Sequence, residues 1–184
     1  MSIEIEPTPN PNALKFITEL TVKAVGNATF NAPSECEQIP LAHKIFSLRG
    51  VDQVHFFQNV ITVSKFGFEP WDDLEPSIVQ VIQENIEKHD ASFQTHNPEE
   101  ERRKNLTPEL QEIEAIIDRT IRPGLQGDGG DLQCLSYENK VLVVQYQGAC
   151  GTCPSSTMGT LEAIKAILRD EYEPEIEVYA APAS

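Results

Sequence analysis

The sequence predicts an α+β protein made of two small mixed domains joined by a polar linker. Short β-rich runs alternate with runs of helical apolar spacing in both halves of the 184-residue chain. Between Phe93 and Leu106 there is no apolar residue, so residues 94–105 cannot bury a face. We therefore expect an N-terminal domain at 1–93, a linker at 94–105 and a C-terminal domain at 106–184.

The first half predicts a small α+β domain that carries no evident chemistry. In chain order we expect a strand at 14–17 after the turn-rich run 7–12, a helix at 41–48, a hairpin of strands at 51–57 and 60–65, and a helix at 71–86. Pro76 should perturb the first turns of that last helix, because proline removes a backbone hydrogen bond.

The second half predicts the order α-β-β-α-β. Thr107 is placed to cap a helix whose first residue is Pro108. The expected elements are a helix with its buried stripe at 110–121 ended by Pro123-Gly124, a flexible turn at 127–130, a hairpin of strands at 131–137 and 141–147, a helix from about 155, and a strand at 176–179. The residues expected to face inward from the 155 helix are Met158, Leu161, Ile164, Ile167 and Leu168.

Composition excludes some classes of partner. Fourteen basic and twenty-nine acidic residues give a formal charge of −15, whereas nucleic acid and anionic membranes need clustered Lys and Arg. No apolar run reaches the roughly 18 residues of a membrane span. The start of the chain, residues 1–6, is neither a signal nor a transit peptide. We therefore expect a cytoplasmic protein whose cysteines stay reduced.

The two cysteines of a C-x-x-C motif, Cys150 and Cys153, are the candidate site. They follow the strand-like run 141–144 and precede Pro154-Ser155, a good helix start. Helix N-terminal amides favour thiolate, which is the form that binds metal and exchanges disulfides. Small residues and hydroxyls around the motif would let an inorganic group approach and would donate hydrogen bonds to it.

The residues alone leave several interpretations of the motif open. Zinc needs about four ligands, and no histidine lies near the motif in the sequence, although zinc could bridge two chains. A thioredoxin-like oxidoreductase needs more sheet after the motif than remains here. An iron–sulfur cluster also needs four thiolates, which two chains could supply together. The fourth interpretation is a pair of incidental buried cysteines.

Other chemical groups are better explained by structure. Cys134 is expected to be a half-buried strand residue on the order of 10 Å from the motif loop, and Cys36 a surface cysteine kept protonated by neighbouring carboxylates. Asp128 and Asp131 are expected to form turns and cap backbone amides. The four histidines, His43, His55, His89 and His96, fit no ligand spacing, so we predict no catalytic residue.

Two stretches of the second half resemble the NifU-like C-terminal domain of the Nfu proteins: 122–131, with its Gly-Asp-Gly-Gly-Asp, and 148–156, around the C-x-x-C motif. Residues 7–16, together with 50–51, 61–63 and Trp71-Asp72, resemble the Nfu N-terminal domain. The chain departs from the family at Gly124, at Gly127, at Cys134 and in the segment 26–40.

The resemblance implies an iron–sulfur cluster scaffold or carrier rather than an enzyme. Cys150 and Cys153 would be the iron ligands, holding a [4Fe-4S] cluster, with [2Fe-2S] as the alternative, between the two protomers of a homodimer. The implied partners are an upstream cluster scaffold and apo iron–sulfur acceptor proteins, with no nucleic acid and no membrane.

Overall fold

The chain folds into two compact units, residues 1–95 and 96–184. The computed structural model describes residues 2–94, 105–151 and 156–182. Each unit has its own sheet and its own apolar core. Most of the polar stretch that the sequence predicts to be a linker, residues 95–104, lies outside the described residues.

The first unit is a five-stranded antiparallel sheet packed with two helices. Along the chain its elements are β1 (Ile3–Pro7), β2 (Ala13–Thr18), β3 (Lys23–Phe30), α1 (Pro40–Phe46), β4 (Val51–Gln58), β5 (Val60–Lys65) and α2 (Trp71–Asn85), with 3-10 turns at Pro33–Glu35 and Ile86–Lys88. The strands lie in the order β1-β2-β5-β4-β3. Every predicted element of this half is present, and α2 continues through Pro76 without a break.

Two strands of this sheet, β1 and β3, were not predicted from the sequence. They form the two edges of the sheet. An edge strand has one neighbour and needs less apolar surface, so its pattern is weak. β1 alternates Ile with Glu over only four residues, and β3 contains Gly26 at φ +67 beside an irregularity in its pairing with β4.

The core of the first unit encloses Cys36 completely. Its side chain has no exposed surface and packs among the buried residues of this unit. The expectation of a surface cysteine is therefore wrong. The expectation of a protonated thiol holds, because burial and then the charge of Glu35 raise its pKa to about 11. The thiol donates a hydrogen bond to the Pro33 carbonyl oxygen, which lies 3.4 Å from Sγ.

The second unit is a three-stranded sheet covered by helices. Its elements are α3 (Pro108–Thr120), α4 (Arg122–Gly127), β6 (Gly130–Glu138), β7 (Val141–Gly148), α5 (Ser156–Glu171) and β8 (Glu177–Ala180). The order β6-β7-β8 is antiparallel for the first pair and parallel for the second, with α5 as the crossover. The Thr107 hydroxyl accepts the Leu110 amide at 3.4 Å, so the predicted helix cap is confirmed.

Two details of the second unit differ from expectation. Pro123-Gly124 does not end the helical region, because the short helix α4 begins at Arg122 directly after α3. Proline in the first turn of a helix loses no hydrogen bond, so it starts α4 instead of stopping α3. Met158 is 76% exposed rather than inward, whereas Ile164 and Leu168 of the same helix are fully buried as predicted.

The β6–β7 hairpin closes through a two-residue turn, Asn139-Lys140. Both residues have positive φ, +51 and +64, which is the geometry of a type I′ turn and matches the twist of the strands. The pairing has a one-residue irregularity between Cys134 and Ser136, and beyond it Gly130 at the start of β6 lies opposite Gly148 at the end of β7. Of the helices in the described ranges, none is long and apolar enough to span a membrane.

Candidate functional site

Cys150 lies in the tight turn that follows β7. Gly148 has φ +62, a conformation that side chains disfavour, and the Gly151 amide donates back to its carbonyl at 3.0 Å. The Ala149 amide donates to the Gly129 carbonyl at 3.2 Å. The turn is therefore bonded both to itself and to the residue before β6. Cys150 is 6% exposed and packs on the core of its unit.

Gly130 forms the surface against which the Cys150 sulfur packs. A Cβ atom on residue 130 would lie 2.5 Å from Cys150 Sγ, 2.9 Å from the Cys150 amide nitrogen and 2.8 Å from the Gln147 carbonyl oxygen. No real Cβ makes contacts this short. The glycine at this position is therefore required for space, whereas Gly129 before it has φ +81 and is required for the turn.

Tyr146 connects the motif turn to α5. Its phenol hydrogen-bonds with Thr160 of α5, and the pKa of that phenol is raised, first by burial and then by negative charge on Cys150. The ring packs against the same apolar core that Cys150 contacts. A Cβ atom on Gly151 would lie only 3.0 Å from the Tyr146 carbonyl oxygen. The turn is thus held closely on the end of β7.

A buried arginine organises the other side of the site. Arg122 Nη1 donates to Asp131 Oδ1 at 2.5 Å and to the Leu132 carbonyl at 2.7 Å, and Nη2 donates to Glu114 Oε2 at 2.5 Å. Nε donates to Asp118 Oδ1 at 2.5 Å. Burial lowers the pKa of Arg122, but its three carboxylate partners raise it by more, so the guanidinium stays charged. The network joins α3, α4 and the first residues of β6.

The same network fixes the backbone next to Gly130. The Asp131 carboxylate accepts the Leu132 amide at 2.7 Å, and the Glu114 carboxylate accepts the Cys134 amide at 3.1 Å. The structural interpretation of Asp131 is thus confirmed. Sequence reasoning missed the role of Arg122 and Glu114. Glu114 stands four residues after Leu110 and three before Ile117, on the buried stripe of α3. A charged residue on a buried stripe needs a charged partner, and this could have indicated the network.

The other three cysteines of the chain differ in where they lie. Cys153, the second residue of the motif, lies outside the described residues. Cys134 is fully buried in β6 rather than half-buried, and Cys36 belongs to the first unit. In the described ranges no three His, Cys, Asp or Glu side chains converge on a position suited to a metal ion.

The histidines in the described ranges have structural contacts. His55 Nδ1 lies 2.8 Å from Thr29 Oγ1, and His89 Nε2 lies 2.7 Å from the Val22 carbonyl oxygen. His89 also packs edge-on against Phe56. His43 is part of the last turn of α1, and His96 lies outside the described residues.

Comparison with known families agrees with this two-unit architecture. A model described as "Scaffold protein Nfu/NifU N terminal" matches residues 3–89, and one described as "NifU-like domain" matches residues 113–179. Each model thus matches one of the two units. The chain belongs to the Nfu/NifU family.

Curated relatives match along nearly the whole chain. The "NFU1 iron-sulfur cluster scaffold homolog, mitochondrial" of Drosophila willistoni is 33% identical over 186 residues, which cover 96% of this chain and 62% of the relative. The "NifU-like protein C1709.19c" of Schizosaccharomyces pombe is 32% identical over 187 residues, covering 95% and 70%. The chain thus spans less than two thirds of the length of the Drosophila relative.

Solved structures match the chain only in part. A NifU-like protein from Saccharomyces cerevisiae is 23% identical, with a TM-score of 0.44 over 48% of this chain and 80% of that chain. A crystal structure of the Staphylococcus aureus protein SAV1430 is 23% identical, with a TM-score of 0.41 over 45% of this chain and 99% of that chain.

Proposed function

We propose that this protein is an iron–sulfur cluster scaffold and carrier. Two copies each contribute Cys150 and Cys153 to one [4Fe-4S] cluster, which they then pass to apo-proteins. The observation that carries the proposal is the position of Cys150. It lies in a hydrogen-bonded turn, and its sulfur packs against Gly130, where a larger residue would not fit. The names of the relatives support the same function.

The proposed ligand count requires a second chain. A cubane cluster needs four thiolates, and the chain has four cysteines. Cys36 lies in the core of the first unit and Cys134 is fully buried within β6, whereas Cys150 keeps some exposed surface in the turn after β7. Only Cys150 and Cys153 then remain for a shared site, so two protomers supply the full set. The proposed dimer therefore forms through the second unit, around the cluster.

Release follows from the same arrangement. A cluster held by two cysteines from each protomer is bound at an interface, where an incoming acceptor pair of thiolates can replace the ligands stepwise. Each replacement weakens the link between protomers, because the cluster itself is part of that link. The domain at 106–184 performs this exchange, and the domain at 1–93 selects partners. Acceptors are apo iron–sulfur proteins, and an upstream scaffold supplies the cluster.

We propose the cytoplasm, a compartment that keeps thiol ligands reduced, as the site of action. Several relatives are named mitochondrial, including the one from Drosophila willistoni. Cell fractionation with an antibody against the chain tests this assignment. Recovery with a mitochondrial matrix marker would overturn it.

Anaerobic reconstitution tests the cluster proposal. Iron and sulfide counting should give about four of each per two chains, Mössbauer spectra should identify [4Fe-4S], and the loaded protein should sediment as a dimer. Two iron atoms per two chains would indicate the [2Fe-2S] alternative. Transfer is measured as activation of an apo dehydratase of the [4Fe-4S] type.

Matched cysteine variants assign the ligands. Cys150→Ala and Cys153→Ala should each lose the cluster, whereas Cys36→Ala, with its change confined to the other unit, should keep it. Circular dichroism establishes that each variant is folded. A full cluster in the Cys150→Ala, Cys153→Ala double variant would overturn the ligand assignment. Bound zinc with no absorbance near 400 nm after reconstitution would replace the cluster proposal with a zinc-bridged dimer.

A further inference from the structure

Two exposed phenylalanines stand on the loop between β5 and α2, residues 66–70. Phe66 is 54% exposed and Phe68 is 99% exposed. Aromatic side chains contribute more apolar area than most residues, and soluble proteins seldom leave two of them in one short loop unless the surface binds something. Neither side chain belongs to the apolar core of this unit.

The loop backbone is held in place by the elements around it. The Phe66 amide donates to the Gly50 carbonyl at 2.9 Å, and the Glu69 amide closes a turn by donating to the Phe66 carbonyl at 3.2 Å. Directly before the loop, the Lys65 amide donates to the Asn12 carbonyl at 2.8 Å. Such a loop displays its side chains at little further entropic cost on binding.

The residue that follows the loop is fixed as well. Trp71 Nε1 donates to the Pro11 carbonyl at 3.1 Å, and Lys65 Nζ lies 5.5 Å from the centre of the Trp71 ring. The turn 8–12, the loop 66–70 and the start of α2 thus form one surface at one end of the sheet. We name this surface, centred on Phe66 and Phe68, the aromatic end.

Acidic side chains border the aromatic end. Glu69 lies within the loop, and Asp72 and Asp73 are exposed in the first turn of α2. An exposed cation, Arg49, lies nearby, with its Nε 3.5 Å from Glu69 Oε1. Helix amides stabilise Asp72 and Asp73 where they stand, and both remain open to a partner. The border therefore favours an apolar partner group that is flanked by positive charge.

We propose that the aromatic end is a docking surface for a segment of a partner protein that presents apolar side chains beside Lys or Arg. The charge of the surface disfavours anionic lipid as the occupant, because anionic headgroups need basic side chains. It also disfavours a second copy of this chain, which carries a formal charge of −15. The proposal does not depend on cluster binding, so it is tested on the full apo chain.

Two labelled 12-residue peptides serve as probes, one of alternating Leu and Lys and one of alternating Leu and Glu. Fluorescence anisotropy with the full chain should show binding of the Leu/Lys peptide only. Phe66→Ser with Phe68→Ser should weaken that binding about tenfold or more, because it removes the apolar contact and leaves every charge in place. Asp72→Asn with Asp73→Asn should weaken it and reduce its dependence on salt.

The matched control changes exposed apolar residues at the opposite end of the sheet. Leu20 and Val25 are 44% and 70% exposed and lie by the β4–β5 turn, so Leu20→Ser with Val25→Ser should leave binding unchanged. Equal binding by the Phe→Ser variant, or binding of the Leu/Glu peptide, would overturn the proposal. So would Phe-dependent binding to phosphatidylcholine vesicles, or Phe-dependent self-association in sedimentation.

Discussion

Gly130 and Cys150 are in such close contact that a Cβ atom on residue 130 would lie 2.5 Å from the cysteine sulfur. We predict that Gly130→Ala destabilises the second unit by about 1–3 kcal/mol, because backbone atoms as well as the sulfur would have to move. Urea unfolding followed by circular dichroism measures the loss, and iron content after reconstitution should fall with it.

The matched control is Gly124→Ala. A Cβ atom there meets no atom within 4 Å, and the residue lies in α4. Alanine is the better helix former, so the variant should be neutral or more stable by up to about 1 kcal/mol. Similar losses in both variants would contradict the steric account of Gly130.

Removing the buried arginine should be far more damaging than removing an exposed one. Arg122→Ala leaves the carboxylates of Glu114 and Asp131 buried without their cation, and we expect a loss of about 3–5 kcal/mol. Arg119→Ala breaks an ion pair with Glu171 in which the arginine side chain is 60% exposed. We expect the free energy of unfolding to fall by only about 0.2–1 kcal/mol. Urea unfolding at pH 7 compares them, and equal losses would refute the role given to the network.

The Cys36 thiol predicts a dependence of stability on pH. Its pKa rises from 9.0 to about 11 on folding, so between those values the folded chain keeps a proton that the unfolded chain releases. The free energy of unfolding therefore falls as pH rises from 9 to 11, with a slope of at most about 1.4 kcal/mol per pH unit from this group, and is unaffected by it below pH 8.

The measurement is the difference in unfolding free energy between the wild-type chain and Cys36→Ala. Alanine has no thiol to titrate, so the other ionisable groups cancel in the difference. The advantage of the wild type should be constant up to pH 8 and shrink towards pH 11. A difference that stays constant across the whole range would mean that the thiol does not titrate differently in the two states.

Gly50 should resist substitution because of its conformation. Its φ is +97, and an added Cβ would lie 2.3 Å from Glu69 Cγ. Gly50→Ala should cost about 1–3 kcal/mol and move Glu69 at the aromatic end. Gly67→Ala is the control, since its Cβ would meet only the Asn12 side chain, at 4.0 Å. Thermal unfolding distinguishes the two, and a harmless Gly50→Ala would contradict the strain.

Elements with strong local signals were predicted from the sequence. Thr107-Pro108 predicted the start of α3, and the apolar stripe at 110–121 predicted its buried face. The position of the C-x-x-C motif, between the end of a strand and the helix that follows, was predicted in the same way. The ligand role of Cys150 and Cys153 stays a prediction.

Features that depend on which residues come into contact in the folded chain were not predicted. Cys36 has polar neighbours in the sequence, Ser34-Glu35 and Glu37, yet its side chain is buried in the core of the first unit. Arg122 is bonded to a residue eight positions before it and another nine after it, and no local pattern states that pairing. Met158 has the spacing of an inward residue, but it lies in the first turn of α5 and its side chain is exposed.

The type I′ turn at Asn139-Lys140 has a consequence for the other end of the hairpin. It sets the register of β6 on β7 next to the turn, and the irregularity between Cys134 and Ser136 then shifts that register by one residue, so that Gly130 lies opposite Gly148, close to Cys150. A slip of one residue shifts the strands by about 3.3 Å and reverses every side chain. The number of residues between the turn and the thiol is thus as important as their identity, and a one-residue deletion in β7 would separate the sulfur from its glycine.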